Sequence, residues 1–223
     1  MKILVTGHKG FCGSHLFNKL KEAGHMVVGY DRGDMFMFPR VDVVYHLAAN
    51  PKVEESVVDP RLALENIQCT FNVLEWMRAS FTKKIIFASS VAGEYLAPYN
   101  ASKLSSEKLI ESYCHSYNMG GVSLRFGNIY GDGDRADRFI PTVLGKAKRG
   151  DDIYIYGKKG DFIHINDVVD IYVDNYKNIE RGKHKVYEIK NKETSLVDVA
   201  DEIIKLTNSK SKIILKEGLK CLK

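Results

Sequence analysis

The 223-residue chain has no arginine- or lysine-rich arm of the kind that tracks nucleic-acid phosphates, although it carries 33 basic and 28 acidic residues. The resulting formal charge of +5 is spread along the sequence. That suits anionic small molecules and argues against a nucleic-acid partner. No apolar run approaches the roughly 18–20 residues a membrane span needs, and the N-terminal segment lacks the apolar core of a signal peptide. Strand-like Lys2–Thr6 starts almost at Met1, so the expectation is a cytoplasmic chain with nothing before its fold and no membrane partner. Cysteine is scarce. Cys12, Cys69, Cys114 and Cys221 are widely separated, form no CxxC pair and make no Cys/His cluster at zinc spacing. No metal site is expected, and the thiols should be free in a reducing compartment. No repeat, linker or low-complexity tract interrupts the chain.

What is present is a globular composition. Hydrophobic residues make up 44 %, enough to bury a sizeable core. Apolar runs alternate with helix-like stretches. Lys2–Thr6, Met26–Tyr30, Val41–Leu47, Ile85–Ser89 and Gly121–Phe126 read as strands. Phe11–Ala23, Asp59–Ala79 and Tyr99–Tyr117 read as helices between them. This β-α-β-α order predicts an α/β fold with a doubly wound parallel sheet. After Asn128 the texture changes. Gly131–Arg138 is polar and turn-rich, Phe139–Arg149 looks helical, Ile153–Tyr156 is a short strand and Gly157–Gly160 a loop. Asp167–Asn178 and Leu196–Leu206 read as helices, with strands at Val186–Ile189 and Ile213–Leu215. The predicted division is a dinucleotide-binding domain at 1–127 with a returning segment at about 161–190, and a small C-terminal substrate-binding lobe at 128–160 and 191–223.

The first strand runs into Thr6-Gly7-His8-Lys9-Gly10-Phe11-Cys12-Gly13. Between a strand and a helix, Gly7 permits a tight turn, Gly10 lets backbone approach a pyrophosphate, and Gly13 lets helix and strand pack closely. The helix N-terminus adds N–H groups and a positive dipole. Asp31 ends the second strand, 18 residues after Gly13. A carboxylate there accepts from both adenosine ribose hydroxyls and repels a 2′-phosphate, which favours NAD over NADP. Arg32 leaves two readings open, since a cation here either meets a 2′-phosphate or stacks on adenine.

Tyr99-Asn100-Ala101-Ser102-Lys103 places a phenol and an ammonium at i and i+4 of a helix start, on one side. A free tyrosine has a pKa near 10, so a tyrosine base at neutral pH needs a drop of roughly three units, or about 4 kcal/mol. A neighbouring lysine supplies stabilisation of that kind. The motif follows a strand ending Phe87-Ala88-Ser89-Ser90, whose Ser90 would hold a substrate oxygen beside Tyr99.

The strings TGHKGFCGSHL, VVGYDR, VDVVYHLAA, NIQCTFNVLE, FASS, YNASK, LRFGNIYG and DFIHINDV occur in this order over residues 1 to about 175. The sequence thereby resembles the extended short-chain dehydrogenase/reductase family, in its branch of NAD-dependent nucleotide-sugar epimerases and dehydratases. The resemblance implies a Rossmann-like fold and these roles. Gly7, Gly10 and Gly13 hold the pyrophosphate, with Phe11 and Cys12 nearby. Asp31 and Arg32 hold the adenosine ribose. Leu47, Ala48 and Ala49 line the cofactor cleft, and Asn66 and Ser89 support its cofactor side. Ser90 orients the substrate hydroxyl, Tyr99 is the base, and Lys103 binds the nicotinamide ribose and tunes Tyr99. Asn128 contacts the sugar nucleotide, while His46 and His164 read as structural. A homodimer through the helices Asp59–Ala79 and Tyr99–Tyr117 is a further implication.

Several departures from the family pattern bear on substrate. The segment from Asp31 to Val41 is short, so adenine contacts are reduced and Asp34 is a partial substitute. Ser90 and Tyr99 are only nine residues apart, which trims the substrate-side loop. Val91 and Ala92 follow Ser90 where dehydratases carry an Asp-Glu pair and decarboxylases a glutamate, which leaves Glu94 as the acid of that loop that would have to reach in. Gly160 stands where an arginine commonly grips the substrate diphosphate, which leaves Lys159, or Lys158, Arg135 and Arg138, for that role. The chain is also shorter than typical members, which implies fewer C-terminal substrate contacts, a small donor sugar or a completing partner. The leading expectation is C4 epimerisation of a UDP-type sugar through a transient 4-keto sugar. A net oxidoreductase of the same family and a non-catalytic dinucleotide binder are the alternatives.

Overall fold

The computed structural model describes residues 1–31, 40–91 and 97–216. In chain order the elements begin with β1 (Lys2–Thr6), α1 (Phe11–Glu22), β2 (Met26–Tyr30), β3 (Val43–His46), α2 (Val53–Val58), α3 (Arg61–Ala79), β4 (Lys84–Ser90) and α4 (Pro98–Tyr117). They continue with β5 (Gly120–Phe126), β6 (Asn128–Tyr130), α5 (Phe139–Arg149), β7 (Ile153–Ile155), β8 (Lys159–Gly160) and β9 (Phe162–His164). The last are α6 (Ile165–Asp174), a 3₁₀ turn (Asn175–Asn178), β10 (His184–Ile189), β11 (Thr194–Ser195), α7 (Leu196–Leu206) and β12 (Ile213–Leu215). Two compact units result, Met1–Gly127 with Ile165–Ile189 and Asn128–His164 with Lys190–Lys223.

In the first unit the continuous apolar runs Ile3-Leu4-Val5, Val43-Val44 and Ile85-Ile86 are all fully buried, the mark of a sheet covered on both faces. The strands form a six-stranded parallel sheet in the order β2-β1-β3-β4-β5-β10. This is the expected Rossmann-like arrangement. From β1 the chain goes to β2 on one side, then crosses back to β3 on the other. The switch point therefore lies at the ends of β1 and β3, where open parallel sheets bind ligands.

Helix spacing sets what covers the sheet. On α3, Ala63, Asn66, Thr70, Val73, Leu74 and Met77 are the buried positions. Val73, Leu74 and Met77 join Leu4, Val44, Ile85 and Phe87 in one core with Ile110, Tyr113 and Cys114 of α4. Burial pushes the Cys114 thiol up to about 12, so this thiol is inert. Helix α1 packs beside α6, where Lys19 pairs with Asp170.

The second unit has its own small core of Val143 and Ala147 from α5, Ile153 and Ile155 from β7 and Ala200 from α7. Strands β7 and β12 pair in parallel, as do β6 and β9, while β8 and β11 pair antiparallel.

Some elements differ from the sequence expectation. The short helix α2 was not foreseen, being too brief to show a 3.6-residue period. Helix α3 begins at Arg61 rather than Asp59, because Asp59 stays outside and grips Arg61 through its backbone N–H (3.1 Å) and guanidinium (2.8 and 2.9 Å). The α6 helix starts at Ile165 and passes into 3₁₀ geometry at Asn175, whose Nδ2 donates to the Ile171 carbonyl at 2.8 Å.

A buried histidine ties three elements of the first unit together. His46, at the end of β3, has no solvent exposure. Its Nδ1 lies 2.7 Å from Thr6 Oγ1 of β1, and its Nε2 lies 3.1 Å from Thr70 Oγ1 of α3. Burial, reinforced by the nearby Lys103 charge, pushes its pKa down to about 3. The folded protein thus holds His46 neutral, while the unfolded chain protonates it near pH 6.5. Between about pH 6.5 and pH 3 the unfolded state binds the extra proton, so stability falls as pH falls, by about 1.4 kcal/mol per pH unit from this group. Denaturant titrations over that window should show the slope in the parent protein, and a His46→Gln variant should lose it.

Candidate active site

The β1–α1 connection folds tightly because Gly10 N–H donates to the Gly7 carbonyl at 2.9 Å and Gly7 N–H donates to the Tyr30 carbonyl at 2.8 Å. Gly7 has φ +75°, and a Cβ there would sit 2.8 Å from the Ala48 nitrogen. A Cβ on Gly13 would lie 2.0 Å from the Gly7 carbonyl oxygen. These two positions admit only glycine without a shift of the backbone. The N-cap of α1 is Gly10, with no side-chain cap, so no side chain competes with an anionic ligand for the N–H groups of the first turn. Asp31 follows β2 and its Oδ2 accepts from Lys9 N–H at 3.1 Å, which ties this carboxylate to the glycine loop. Across the switch point, Ala48 N–H donates to Thr6 Oγ1 at 3.2 Å and Leu47 N–H to the Thr6 carbonyl at 3.2 Å. Glycines without side-chain bulk at the start of α1 and a carboxylate at the end of β2 are what a dinucleotide calls for, so the residues present fit NAD.

Helix α4 starts at Pro98, a residue suited to the first helical turn. It carries Tyr99 and Lys103 on one side. Lys103 is buried, and its Nζ donates to the Ala88 carbonyl of β4 at 2.8 Å. The same ammonium lies 4.8 Å from the centroid of the Phe87 ring and 5.8 Å from that of Tyr99. Burial brings its pKa down to about 8. At neutral pH it is a cation beside the Tyr99 ring, the arrangement that favours a phenolate. Ser90 ends β4, half-buried, its hydroxyl 3.4 Å from the Val91 carbonyl.

Asn66 of α3 acts by holding. Its Oδ1 accepts from Asn50 N–H at 2.7 Å, and its Nδ2 donates to the Asn50 carbonyl (3.1 Å) and to Ser102 Oγ (3.3 Å). Ser102 in turn donates to the Tyr99 carbonyl at 2.7 Å, and Tyr99 N–H donates to Ser56 Oγ of α2 at 3.1 Å. Ser89 points its hydroxyl at Glu107 Oε1 (2.6 Å) rather than presenting it to a ligand.

The structure thus brings Gly7, Gly10, Phe11, Cys12, Gly13, Asp31, Leu47, Ala48, Ala49, Asn66, Ser90, Tyr99 and Lys103 into the first unit. Asn128 and Lys159 belong to the second unit, described by itself. There Asn128 Oδ1 lies 3.4 Å from Arg138 Nη2, and Lys159 is exposed, 3.9 Å from Glu193. His164 stacks edge-on against Tyr130 at 5.2 Å. Arg32, Asp34, Ala92, Glu94 and Cys221 lie outside the described residues. Sequence reading missed Thr6, Thr70, Ser102, Ser106, Glu107 and Arg125. Ser102, Lys103, Ser106 and Glu107 recur at helical spacing on one side of α4, but nothing in the sequence marks that side as buried or names its partners on α3 and β5. Among the described residues no helix is long and apolar enough to cross a membrane, and no group of three or more His, Cys, Asp or Glu side chains is placed to hold a metal ion.

Comparison with known proteins adds the family. The model of the NAD dependent epimerase/dehydratase family matches residues 3–189. An uncharacterized UDP-glucose epimerase of Bacillus subtilis, YtcB, is 32 % identical over 222 residues, covering 76 % of this chain and 70 % of that protein. The structure of a UDP-glucose 4-epimerase with UDP-glucose from Thermotoga maritima superimposes with a TM-score of 0.87 at 25 % identity, covering 99 % of this chain and 87 % of that one. MoeE5 in complex with UDP-glucose and NAD gives a TM-score of 0.88 at 26 % identity, covering 98 % and 86 %. With the glycine loop, the parallel sheet and the Tyr99–Lys103 helix in their places, the chain belongs to the NAD-dependent epimerase/dehydratase family of nucleotide-sugar enzymes.

Proposed function

We propose that the protein is an NAD-dependent epimerase that inverts C4 of a UDP-type sugar through a transient 4-keto sugar. The observation that carries this reading is the set of Ser90, Tyr99 and Lys103 together with Val91 and Ala92, so that no acid directly follows Ser90. Carbinol oxidation and its reversal need one base and one oriented hydroxyl. Elimination or decarboxylation would call for an extra carboxylate directly after Ser90, where Val91 and Ala92 stand. Two similar structures carry UDP-glucose, which favours a UDP donor over other nucleotides.

In this reading Tyr99 takes the proton of the sugar hydroxyl and returns it once the hydride has come back to the other face. Lys103 lowers the cost of the Tyr99 phenolate and donates to a cofactor ribose oxygen. Ser90 donates to the same sugar oxygen and fixes its direction. Gly7, Gly10 and Gly13 with the Phe11 and Cys12 backbone receive the pyrophosphate, while Asp31 accepts from the adenosine ribose. NAD, when bound, supplies the reversible hydride acceptor. Leu47, Ala48 and Ala49 bound the cofactor cleft and exclude water. Asn128 and Lys159 are assigned to the nucleotide sugar. We also assign a second copy of this chain to the side of α3 where Leu64 is 64 % and Phe71 41 % exposed. Leu64→Glu with Phe71→Glu should convert a dimer to a monomer in sedimentation velocity.

Incubation with NAD and a panel of UDP-sugars, resolved by NMR, should give a C4-inverted product without net NADH. Tyr99→Phe should slow that turnover by about 10²- to 10⁴-fold while NAD still binds. Accumulating NADH would overturn the epimerase reading in favour of a net oxidoreductase. Gly13→Ala, whose methyl meets the Gly7 carbonyl, should cost about 1–3 kcal/mol of stability and abolish NAD binding by calorimetry.

A further inference from the structure

We propose that Glu107 and Arg125 form a clamp that positions Lys103, the Glu107 carboxylate favouring its ammonium and the Arg125 guanidinium opposing it. The inference rests on the reading of Lys103 above. Its basis is a second, deeper row of contacts between α4 and the sheet. Glu107 stands one turn beyond Lys103 (i+4) and faces the same way. Lys103 Nζ grips the carbonyl of Ala88, and the next strand residue, Ser89, donates its hydroxyl to Glu107 Oε1 at 2.6 Å. Ser89 pairs in register with Arg125 of β5. Arg125 donates to Glu107 from Nε at 2.9 Å and from Nη2 at 2.6 Å. The Glu107 side chain is 5 % exposed and that of Arg125 is 26 % exposed.

A bidentate, charge-assisted pair of this kind is geometrically specific. Two turns of α4 thus hold two consecutive residues of β4, and Ser90 is the next residue along. The clamp fixes the height of Tyr99 and Lys103 relative to Ser90. A buried ion pair is weak evidence of stability in itself, because desolvation offsets attraction. Its other consequence is electrostatic. Burial alone would raise Glu107, yet the Arg125 and Ser89 hydrogen bonds override this and hold its carboxyl below the usual range. The clamp is therefore a fixed minus and a fixed plus beside a lysine that burial has brought to about 8.

The other groups around Lys103 are Cys12 of α1, Cys69 of α3, neutral His46 of β3, and Tyr99 on its own helix. Around Glu107 stand Arg125, Ser89 and His184 of β10, the last kept toward neutrality by burial. Cys69 and Cys12 also favour the Lys103 ammonium, so Glu107 is one of three groups that do, and the only one of them held by a cation opposite. Removing the minus charge leaves an extra plus near Lys103 and disfavours its ammonium. Removing the plus charge does the opposite. Removing both restores the balance.

The test uses Glu107→Gln, Arg125→Gln and the double variant. Lys103 is titrated in the free protein through its ε-carbon NMR signal, assigned by its loss in Lys103→Met. NAD affinity is measured against pH by calorimetry alongside. Glu107→Gln should move the Lys103 titration, and the alkaline fall in NAD affinity, down by roughly half a pH unit or more. Arg125→Gln should move both up, and the double variant should return near the parent. If the single variants shift the same way or not at all, the pair is a structural tie only and the proposal is overturned. The two readings fail separately. Should Lys103→Met leave NAD affinity and turnover intact, the assignment of Lys103 to the active site fails, while the NMR titration still decides the clamp.

Discussion

Placing the Lys103 ammonium out of water carries a solvation cost that only acceptors built around it can offset. The chain answers with the Ala88 carbonyl at 2.8 Å and the face of Phe87 at 4.8 Å. Much of the first unit follows from holding that cation. A helix that buries a lysine toward a sheet must bury its polar neighbours too, and α4 buries Ser102, Ser106 and Glu107 with it. Each needs a partner. Ser102 and Ser106 meet Asn66 and Thr70 of α3, at 3.3 and 3.0 Å. Glu107 meets Ser89 and Arg125. Further along, the same helix turns to Ile110, Tyr113 and Cys114, which pack in the apolar core. The α3–α4 contact is thus polar near the reactive end and oily beyond it. The polar half fixes geometry, and the oily half supplies most of the burial energy.

The switch point obeys a second constraint, that of close backbone approach. Gly7 and Ala48 come so near that a methyl group on Gly7 would stand 2.8 Å from the Ala48 nitrogen. That nearness is stabilised by a chain of small polar groups. Ala48 N–H binds Thr6 Oγ1, Thr6 binds His46, and His46 binds Thr70. Thr70 then touches Ser106 on α4 at 3.0 Å. The glycine loop and the tyrosine helix, far apart in sequence, are connected through one neutral imidazole. A charged His46 would have to be solvated where there is no water, which is why burial keeps it neutral.

The parts legible in the sequence were those with a local signature. The glycine loop announces itself by spacing, the strands by short apolar runs, and Tyr99–Lys103 by one helical turn. Phe139–Arg149 and Leu196–Leu206 match the structure end for end because their apolar faces are unambiguous. The polar joints were not legible, because each depends on pairs distant in sequence. Thr6 and His46 are 40 residues apart, and Ser89 and Glu107 are 18 apart. A threonine or serine in isolation carries no sign of its partner. Ser89 illustrates the limit. Its place beside Ser90 suggests a cofactor contact, whereas its hydroxyl goes to Glu107. Glu107 itself looks like an ordinary surface acid until Arg125 is known to lie opposite.

These joints also bear on how one scaffold supports several reactions. Asn66, Thr70, Ser89, Ser102, Ser106 and Glu107 all spend hydrogen-bonding groups on one another or on backbone. They order the site without reaching for a particular sugar. In the proposed reading the groups that do the chemistry are a phenol, a serine hydroxyl and an ammonium, a set suited to moving a proton on and off a carbinol oxygen. Such a set does not distinguish one sugar hydroxyl from another. The residues assigned to the nucleotide sugar, Asn128 and Lys159, stand in the separate second unit and are solvent-exposed there. Exposed polar side chains can change with little loss of stability, whereas a change in the buried network leaves an unsatisfied partner behind. Under the proposed assignments, substrate preference is therefore free to drift while the proton-handling core stays fixed.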